Sequence, residues 1–431
     1  MASFTDIIAH CISLKRAEFL AGLSPHPNSD VEHFLMTQVQ AHWHPFSRER
    51  VEGSPPSRWR VGAVDGSHGI RPLNVGADWI VAQALLLGPE GRRISEGDTL
   101  LLRGDVERPA VDRCASLLMR SLELKLALQF VQEDIGNVLL LDGSLYADLP
   151  YLLYNLAIGG YEDLPLKVLG QYLDLFALCQ QRDVLLLGIA KRTRSKVLGH
   201  ALLANSRTLQ SVEAQTGALP EAENERRSEA FTDGHHQHSE LSDADSPWLP
   251  SDGELLHRWT EGCGLTDPIL LGSASFGHIS ARRVAQLASR AKQPLAQSAS
   301  PSAISQDRMQ ERLSPLQERL LAAPAIGTFY VRLAPGDDAL RIDGLASTFG
   351  RNDLRLLEFA HSMTTHTAVF PLLQYLLGDY GGLSVYNAAL YVVDQEVRLH
   401  AETVDQIYLP ILRSQLGYPI QYDRSTRRFF S

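Results

Sequence analysis

The chain has 431 residues, 44% of them apolar and 21% charged, with a formal net charge of −10 and a pI of about 5.8. That length can bury a large core spread over about two or three units. It contains no apolar run of the roughly 18 residues a membrane span needs, and its acidic balance argues against a broadly basic nucleic-acid surface. The four cysteines, Cys11, Cys114, Cys179 and Cys263, are scattered without a CxxC pair, so they read as thiols of a reducing compartment, not a zinc site or disulfide frame. The opening MASFTDIIAHCISLKRAEFL carries acids and a histidine within its apolar stretch and has no basic leader, so a cytoplasmic protein is expected.

Residues 1–50 form a predicted helical segment, with Ile7, Ile8, Cys11, Leu14, Phe19 and Leu20 near helical spacing. After the breaker GSPPS at 53–57 come three strand candidates, 59–67, 78–88 and 98–104, whose succession predicts an antiparallel meander. The stretch 112–133 lacks Pro and Gly and repeats Leu117, Leu118, Leu122, Leu126 and Phe130 at helical intervals, with Asp112 expected in its first turn. A buried strand at 138–142, helical segments around 148–158 and 163–180, a buried strand at 183–191 and a helix from about Ser195 follow. Polar composition over 206–250 and again over 292–306 predicts a partly disordered insertion with short helices, spanning 206–315. The HHQH tract at 235–238 could bind a metal weakly, but it has no surrounding core, which favours a solvated tract. Folded character resumes over 316–431: paired strands 326–336 and 339–345 around PGDD, helices at 352–363 and 369–378, and a long helix or two over 385–412. The core would then be divided, with a first part at 51–205 and a second at 316–431.

Two apolar strands run into the same phrase, AVDGS at 63–67 and LLLDGSL at 139–145. An acid behind a buried strand is costly without a partner. Strand ends on one sheet edge converge, and two acids there repel unless a cation lies between them. Hard carboxylate oxygens suit Mg²⁺ or Mn²⁺. Each glycine would permit a sharp turn and close approach of a phosphate, and each serine could cap the turn after it. Asp-Gly is also an ordinary turn signal, so one such phrase alone would mean little. Glu123, in the helix between the two strands, is the third acid. Its competing reading is an exposed residue paired with Lys125 or Arg120. Three strands, a helix bearing Glu, then a strand ending in Asp match the order of ribonuclease H-like nucleases. There carboxylates on separate rigid elements hold two metals about 3.5–4 Å apart. The expected fold is α/β, a ribonuclease H-like mixed sheet flanked by helices, with helical additions at both termini.

With AVDGS, Glu123 and LLLDGSL, the phrases GIAKRTRSK at 188–196, YVRLAPG with LRID, and YNAALYVVD at 386–394 make the chain resemble the NurA family of DNA nucleases. The resemblance implies manganese-dependent DNA cleavage, both 5′→3′ exonuclease and single-strand endonuclease, with processing of DNA ends beside a HerA-type hexameric ATPase. It also implies a homodimer. Carried over by position, Asp65, Glu123, Asp142 and Asp394 become metal ligands and Tyr386 a further catalytic residue. The family's C-terminal motif has Tyr-Pro followed by Ala-His. Here Asn387 replaces the Pro, Val393 the Ala and Asp394 the His. An Asp can still ligate Mn²⁺ or Mg²⁺, but it cannot act as a neutral imidazole near pH 7. Lys191, Arg192, Arg194 and Lys196 form the best local basic run and are the expected DNA contacts. Trp79 and Tyr146 read as packed aromatics before stacking partners for bases. Two rival functions compete with the nuclease: a weakly active nuclease-like subunit serving the ATPase, and a phosphatase built on the same acids.

Overall fold

A computed structural model describes residues 4–23, 29–51, 59–103, 106–153, 156–191, 195–204, 249–271, 315–357, 362–363, 365, 369–417 and 419–421. The polar tracts at 206–248 and 292–306, the histidines at 235–238, and Arg192 and Arg194 lie outside them.

Among the described residues the core is one mixed sheet of eleven strands. Its strands in chain order are β1 (Trp43–Pro45), β2 (Val61–Leu73), β3 (Ala77–Leu87), β4 (Arg93–Arg103), β5 (Val138–Asp142), β6 (Leu185–Ala190), β7 (Gly264–Thr266), β8 (Ile269–Leu271), β9 (Ile326–Arg332), β10 (Leu340–Leu345) and β11 (Ser362–Met363). Across the sheet they run β1-β7-β9-β10-β6-β5-β2-β3-β4, with β8 also pairing β9 and β11 pairing β8. The expected meander is present: β2 pairs β3 and β3 pairs β4, both antiparallel. Next to it β2, β5 and β6 are parallel. The helices that precede the first crossover are α1 (Phe4–Leu14), α2 (Arg16–Leu23), α3 (Ser29–Ala41) and α4 (Arg48–Val51). The crossovers between the parallel strands are helical, α5 (Arg108–Gln132) from the meander to β5 and α6 (Leu164–Arg182) from β5 to β6. These five strands and two helices form a ribonuclease H-like unit, and β10 and β9 extend it by antiparallel pairing onto β6.

Helices cover both faces of the central strands. Val64, Leu139, Leu141 and Leu186 pack with Leu118, Leu122, Phe130, Leu169 and Phe176 of α5 and α6 in one core. Ala63, Leu140, Leu187 and Ile189 pack on the other face with Leu373 and Leu376 of a helix at Phe370–Gly378 and with Leu390 and Val393 of one at Ala388–Val397. Burial on both sides is why β5 and β6 read as unbroken apolar runs and not as alternating ones. The C-terminal residues Val404, Leu409 and Ile420 close a smaller cluster with Leu73, Trp79 and Val81 at the far end of the β2–β3 hairpin.

Several expectations needed correction. The described residues of the 352–363 stretch are not helical: Arg355 bridges Pro324, and Ser362–Met363 is β11. Within 206–315, Ser251 caps a helix at Asp252–Trp259, and β7 and β8 join the sheet. Strands of three residues are too short for a two-residue period to be read. α5 begins at Arg108, so Asp112 lies beyond its first turn and pairs with Arg108 at 3.0 Å.

Candidate active site

Parallel pairing of β2 with β5 sets Val64 opposite Leu141, so Asp65 and Asp142 follow as neighbours where β5 stops. The two Asp-Gly-Ser phrases differ at this point. After Asp142 the chain does turn: Gly143 has φ +97°, a region that favours glycine, and its N–H donates to the Ile189 carbonyl at 2.9 Å. After Asp65 it does not turn. β2 continues along β3 as far as the Leu73–Ala77 pair. Gly66 serves a different need, because a Cβ there would lie 2.5 Å from Glu123 Oε1 and 2.7 Å from Met119 Cγ. The missing side chain lets α5 lie against β2 and brings Glu123 beside Asp65. The serines divide in the same way. Ser144 Oγ accepts from the Tyr146 and Ala147 N–H groups at 3.1 and 3.0 Å and so caps its turn. Ser67 Oγ accepts from Leu399 N–H at 2.9 Å and ties the end of the Ala388–Val397 helix to β2.

The carboxylates crowd one another. Asp65 is buried and its Oδ1 accepts from the Gly66 N–H at 2.8 Å. Burial first, then the Asp142 charge, pushes its pKa up to about 6. Glu123 is 3% exposed. Burial raises its pKa to about 7 against the opposing pull of Arg120, with Asp65 and Asp142 adding to the rise. Glu123 Oε2 lies 2.6 Å from Arg120 Nη1, but the contact lacks hydrogen-bond alignment and this buried oxygen has no hydrogen-bond partner. Arg120 was visible in sequence only as a helix neighbour of Glu123, yet it also reaches the Asp142 carbonyl at 3.5 Å and Asp148 at 3.9 Å. Lys125, the alternative partner, pairs with Glu96 instead.

Tyr386 closes the site from the C-terminal third. Its hydroxyl donates to Asp142 Oδ1 at 3.4 Å, and burial followed by the Asp142 and Asp65 charges holds the phenol well above its usual range. Lys191 pairs with Asp142 Oδ2 at 3.2 Å, its ammonium 4.5 Å from the Tyr386 ring centre. Asn387, where the resembling family has Pro, is fully buried. It caps the next helix by accepting from Leu390 N–H at 3.0 Å and donates to Asp379 Oδ2 at 3.0 Å. Asp394 is close enough for its charge to raise Asp65 and Tyr386, but its own Oδ2 accepts from Arg398 and Gln395, each at 3.0 Å. Lys196 lies just ahead of a helix over 197–204. Trp79 and Tyr146 are buried, with Trp79 Nε1 donating to Thr99 Oγ1 at 2.6 Å, so both are packing residues. Among the described residues no three His, Cys, Asp or Glu side chains already converge as a ligand set for one ion. Each outer acid instead holds a cation: Glu123 has Arg120, Asp142 has Lys191 and Asp394 has Arg398.

A meander of three strands, two parallel strands joined by helical crossovers, and acids where those strands meet define a ribonuclease H-like α/β protein with acids gathered at its strand ends. A model of the NurA domain matches residues 60–398, and the chain belongs to that family. Among solved structures it is similar to the NurA nuclease from Sulfolobus solfataricus, at 16% identity and TM-score 0.52, covering 96% of this chain and 98% of that one. It is also similar to two further crystal structures, each covering 96% of this chain and 98% of theirs. One is of NurA, at 12% identity and TM-score 0.45. The other is of NurA bound to dAMP and manganese, at 13% identity and TM-score 0.40. No curated protein matches the sequence.

Proposed function

We propose that the protein is a metal-dependent DNA nuclease whose Asp65, Glu123 and Asp142 hold Mn²⁺ or Mg²⁺, with Asp394 as an outer ligand. The observation that carries this reading is the register placing Asp65 beside Asp142, with Glu123 buried within electrostatic reach of both. The residues fit a hard divalent ion: every donor is a carboxylate oxygen, Glu123 Oε2 is buried without a hydrogen-bond partner, and burial, with the neighbouring acid charges adding to it, raises the affinity of Asp65 and Glu123 for protons. When bound, such an ion supplies Lewis acidity for activating water and for stabilising a leaving 3′-oxygen.

The surrounding residues orient and neutralise. Tyr386 fixes Asp142 from one side through its hydroxyl. Lys191, half exposed beside Asp142, is placed to take a phosphate oxygen and offset the acids. Lys196, Arg192 and Arg194 continue that basic run as proposed DNA contacts. The finer activities, 5′→3′ exonuclease and single-strand endonuclease at DNA ends, with a HerA-type hexameric ATPase as partner in the cytoplasm, rest on the family resemblance. The acidic net charge suits an enzyme supplied with DNA by a translocase. The proposed homodimer is supported by apolar side chains uncovered on the first helix (Phe4–Leu14), Ile8 at 57% and Ile12 at 52% exposure.

The test is cleavage of end-labelled DNA by purified protein with Mn²⁺ or Mg²⁺. Asp65→Asn and Asp142→Asn should each lower the rate by about 10²-fold or more, as expected for loss of a metal ligand. Wild-type rates in either variant would overturn the reading. A second reading, a weakly active subunit serving the ATPase, is favoured by one observation: Asp394 stands where the family has His and is engaged by Arg398. Absence of cleavage by the protein–ATPase complex with both metals would select it.

A further inference from the structure

The turn that carries Asp142 is held by a residue from a strand two places away in the sheet. Asp343 lies on β10 and is fully buried. Its register partner on β6 is Gly188, which has no side chain to block the path across that strand. A Cβ on Gly188 would come within 2.7 Å of the Gly143 carbonyl oxygen and 2.9 Å of Leu145 Cγ. Through that gap Asp343 Oδ2 accepts from Ser144 Oγ at 2.5 Å and from Leu145 N–H at 3.0 Å. Ser144 Oγ in turn accepts from the next two N–H groups of the turn. The charge of Asp343 is compensated by Arg341 on its own strand, whose Nε donates to Oδ1 at 2.8 Å. The four acceptor contacts on the Asp142–Ala147 turn thus trace back to one buried ion pair. A buried carboxylate is costly unless paired and hydrogen-bonded, and the second oxygen of this one takes both short bonds from the turn and a longer one, 3.4 Å, from Arg341 Nη2.

We propose that Asp343 is a positioning residue for the metal-binding carboxylate Asp142, acting through Ser144 and the Leu145 amide, with Arg341 as its counter-ion. This rests on the nuclease reading for its consequence, whereas the positioning itself is a property of the turn. Among the described residues, the Asp142 carboxylate oxygens are bonded only by Lys191 and, at 3.4 Å, by the Tyr386 hydroxyl. Its place beside Asp65 therefore depends on where the chain goes after Gly143.

The experiment uses the full chain and two variants. Ser144→Ala removes the hydroxyl that links Asp343 to the turn, and Ser144→Thr keeps it. Mn²⁺ binding is followed by electron paramagnetic resonance without DNA, amide exchange of residues 143–147 by mass spectrometry, and cleavage by steady-state kinetics. Ser144→Ala should weaken Mn²⁺ binding about tenfold. It should also speed exchange of the Leu145, Tyr146 and Ala147 amides and lower kcat while leaving KM for DNA within about twofold. Ser144→Thr should stay within about threefold of wild type on all three readouts. Folded Ser144→Ala with wild-type Mn²⁺ affinity and unchanged exchange overturns the proposal. If Ser144→Ala does not fold, a folded Ser144→Thr that loses Mn²⁺ affinity overturns it and one that retains affinity and slow exchange supports it. If the wild type itself binds no Mn²⁺, the metal reading fails on its own, and exchange of 143–147 still decides whether Asp343 holds the turn.

Discussion

At the scale of single residues, the acids declare themselves through proton affinity. Asp65 and Glu123, with pKa values pushed up to about 6 and about 7, bind protons more tightly folded than unfolded. Ionising them therefore works against the fold, and the ion-free protein should lose stability as pH rises from about 4 to about 7. The loss should reach roughly a few kcal/mol, since each tenfold gain in proton affinity on folding is worth about 1.4 kcal/mol. Thermal unfolding in chelator across that range checks this, and Glu123→Gln should flatten the slope. It should not abolish it, because buried Asp252, raised by burial to about 6, contributes with the same sign. A bound divalent ion competes with those protons, so Mn²⁺ affinity should climb over the same interval. Asp65, Glu123 and Asp142 were legible in sequence as acids set beside apolar strands. Arg120, Asp148 and Asp343 were not. Nothing local distinguishes Arg120 from any helix-surface arginine, and Asp343 acts through a partner 199 positions away in the chain.

Among the elements, those with a long and unmixed pattern were readable and those without were not. β5 and β6 are continuous apolar runs because helices bury both faces, and α5 keeps an apolar stripe over 25 residues. β4 begins earlier than expected, at Arg93, because its first half is an exposed edge whose RISEGD carries mostly polar side chains. The continuation of β2 past Asp65 was hidden by its own glycines, which look like a turn in sequence. Their use is the close seat of α5 on β2, and that is testable. In Gly66→Ala the new methyl meets the Glu123 carboxylate and Met119 Cγ, so those side chains must shift. The expected cost is about 1–3 kcal/mol of stability, as for overpacking elsewhere, together with a large drop in cleavage because Glu123 is displaced. Denaturant titration and the DNA assay read the two effects separately. Gly143 has the other requirement, a left-handed φ, so the same two-letter phrase answers two physical demands.

For the whole molecule, the sheet is assembled from both ends of the chain and the segment between 204 and 249 joins neighbours. Leu198 and Gly199 N–H groups donate to Asp252 Oδ1 at 3.0 and 3.3 Å, and Asp252 N–H donates to the Ser195 carbonyl at 2.7 Å. Tyr330 of β9 donates to the other Asp252 oxygen at 2.5 Å. Because these bonds tie the flanks together, replacing residues 206–248 with a short Gly-Ser linker should leave the melting temperature within a few degrees and Mn²⁺-dependent cleavage near wild type. Loss of folding would show that the segment contributes to the core. Among the described residues no helix is long and apolar enough to cross a membrane. The contribution of β9, β10 and Tyr386 from the last third of the chain also has a bearing on biosynthesis. A ribosome that has delivered only the first two hundred residues has exported Asp65, Glu123 and Asp142 but neither the prop beneath the Asp142 turn nor the tyrosine above it. If the protein cuts nucleic acid as proposed, it is thereby kept unfinished while it is still tethered to a messenger.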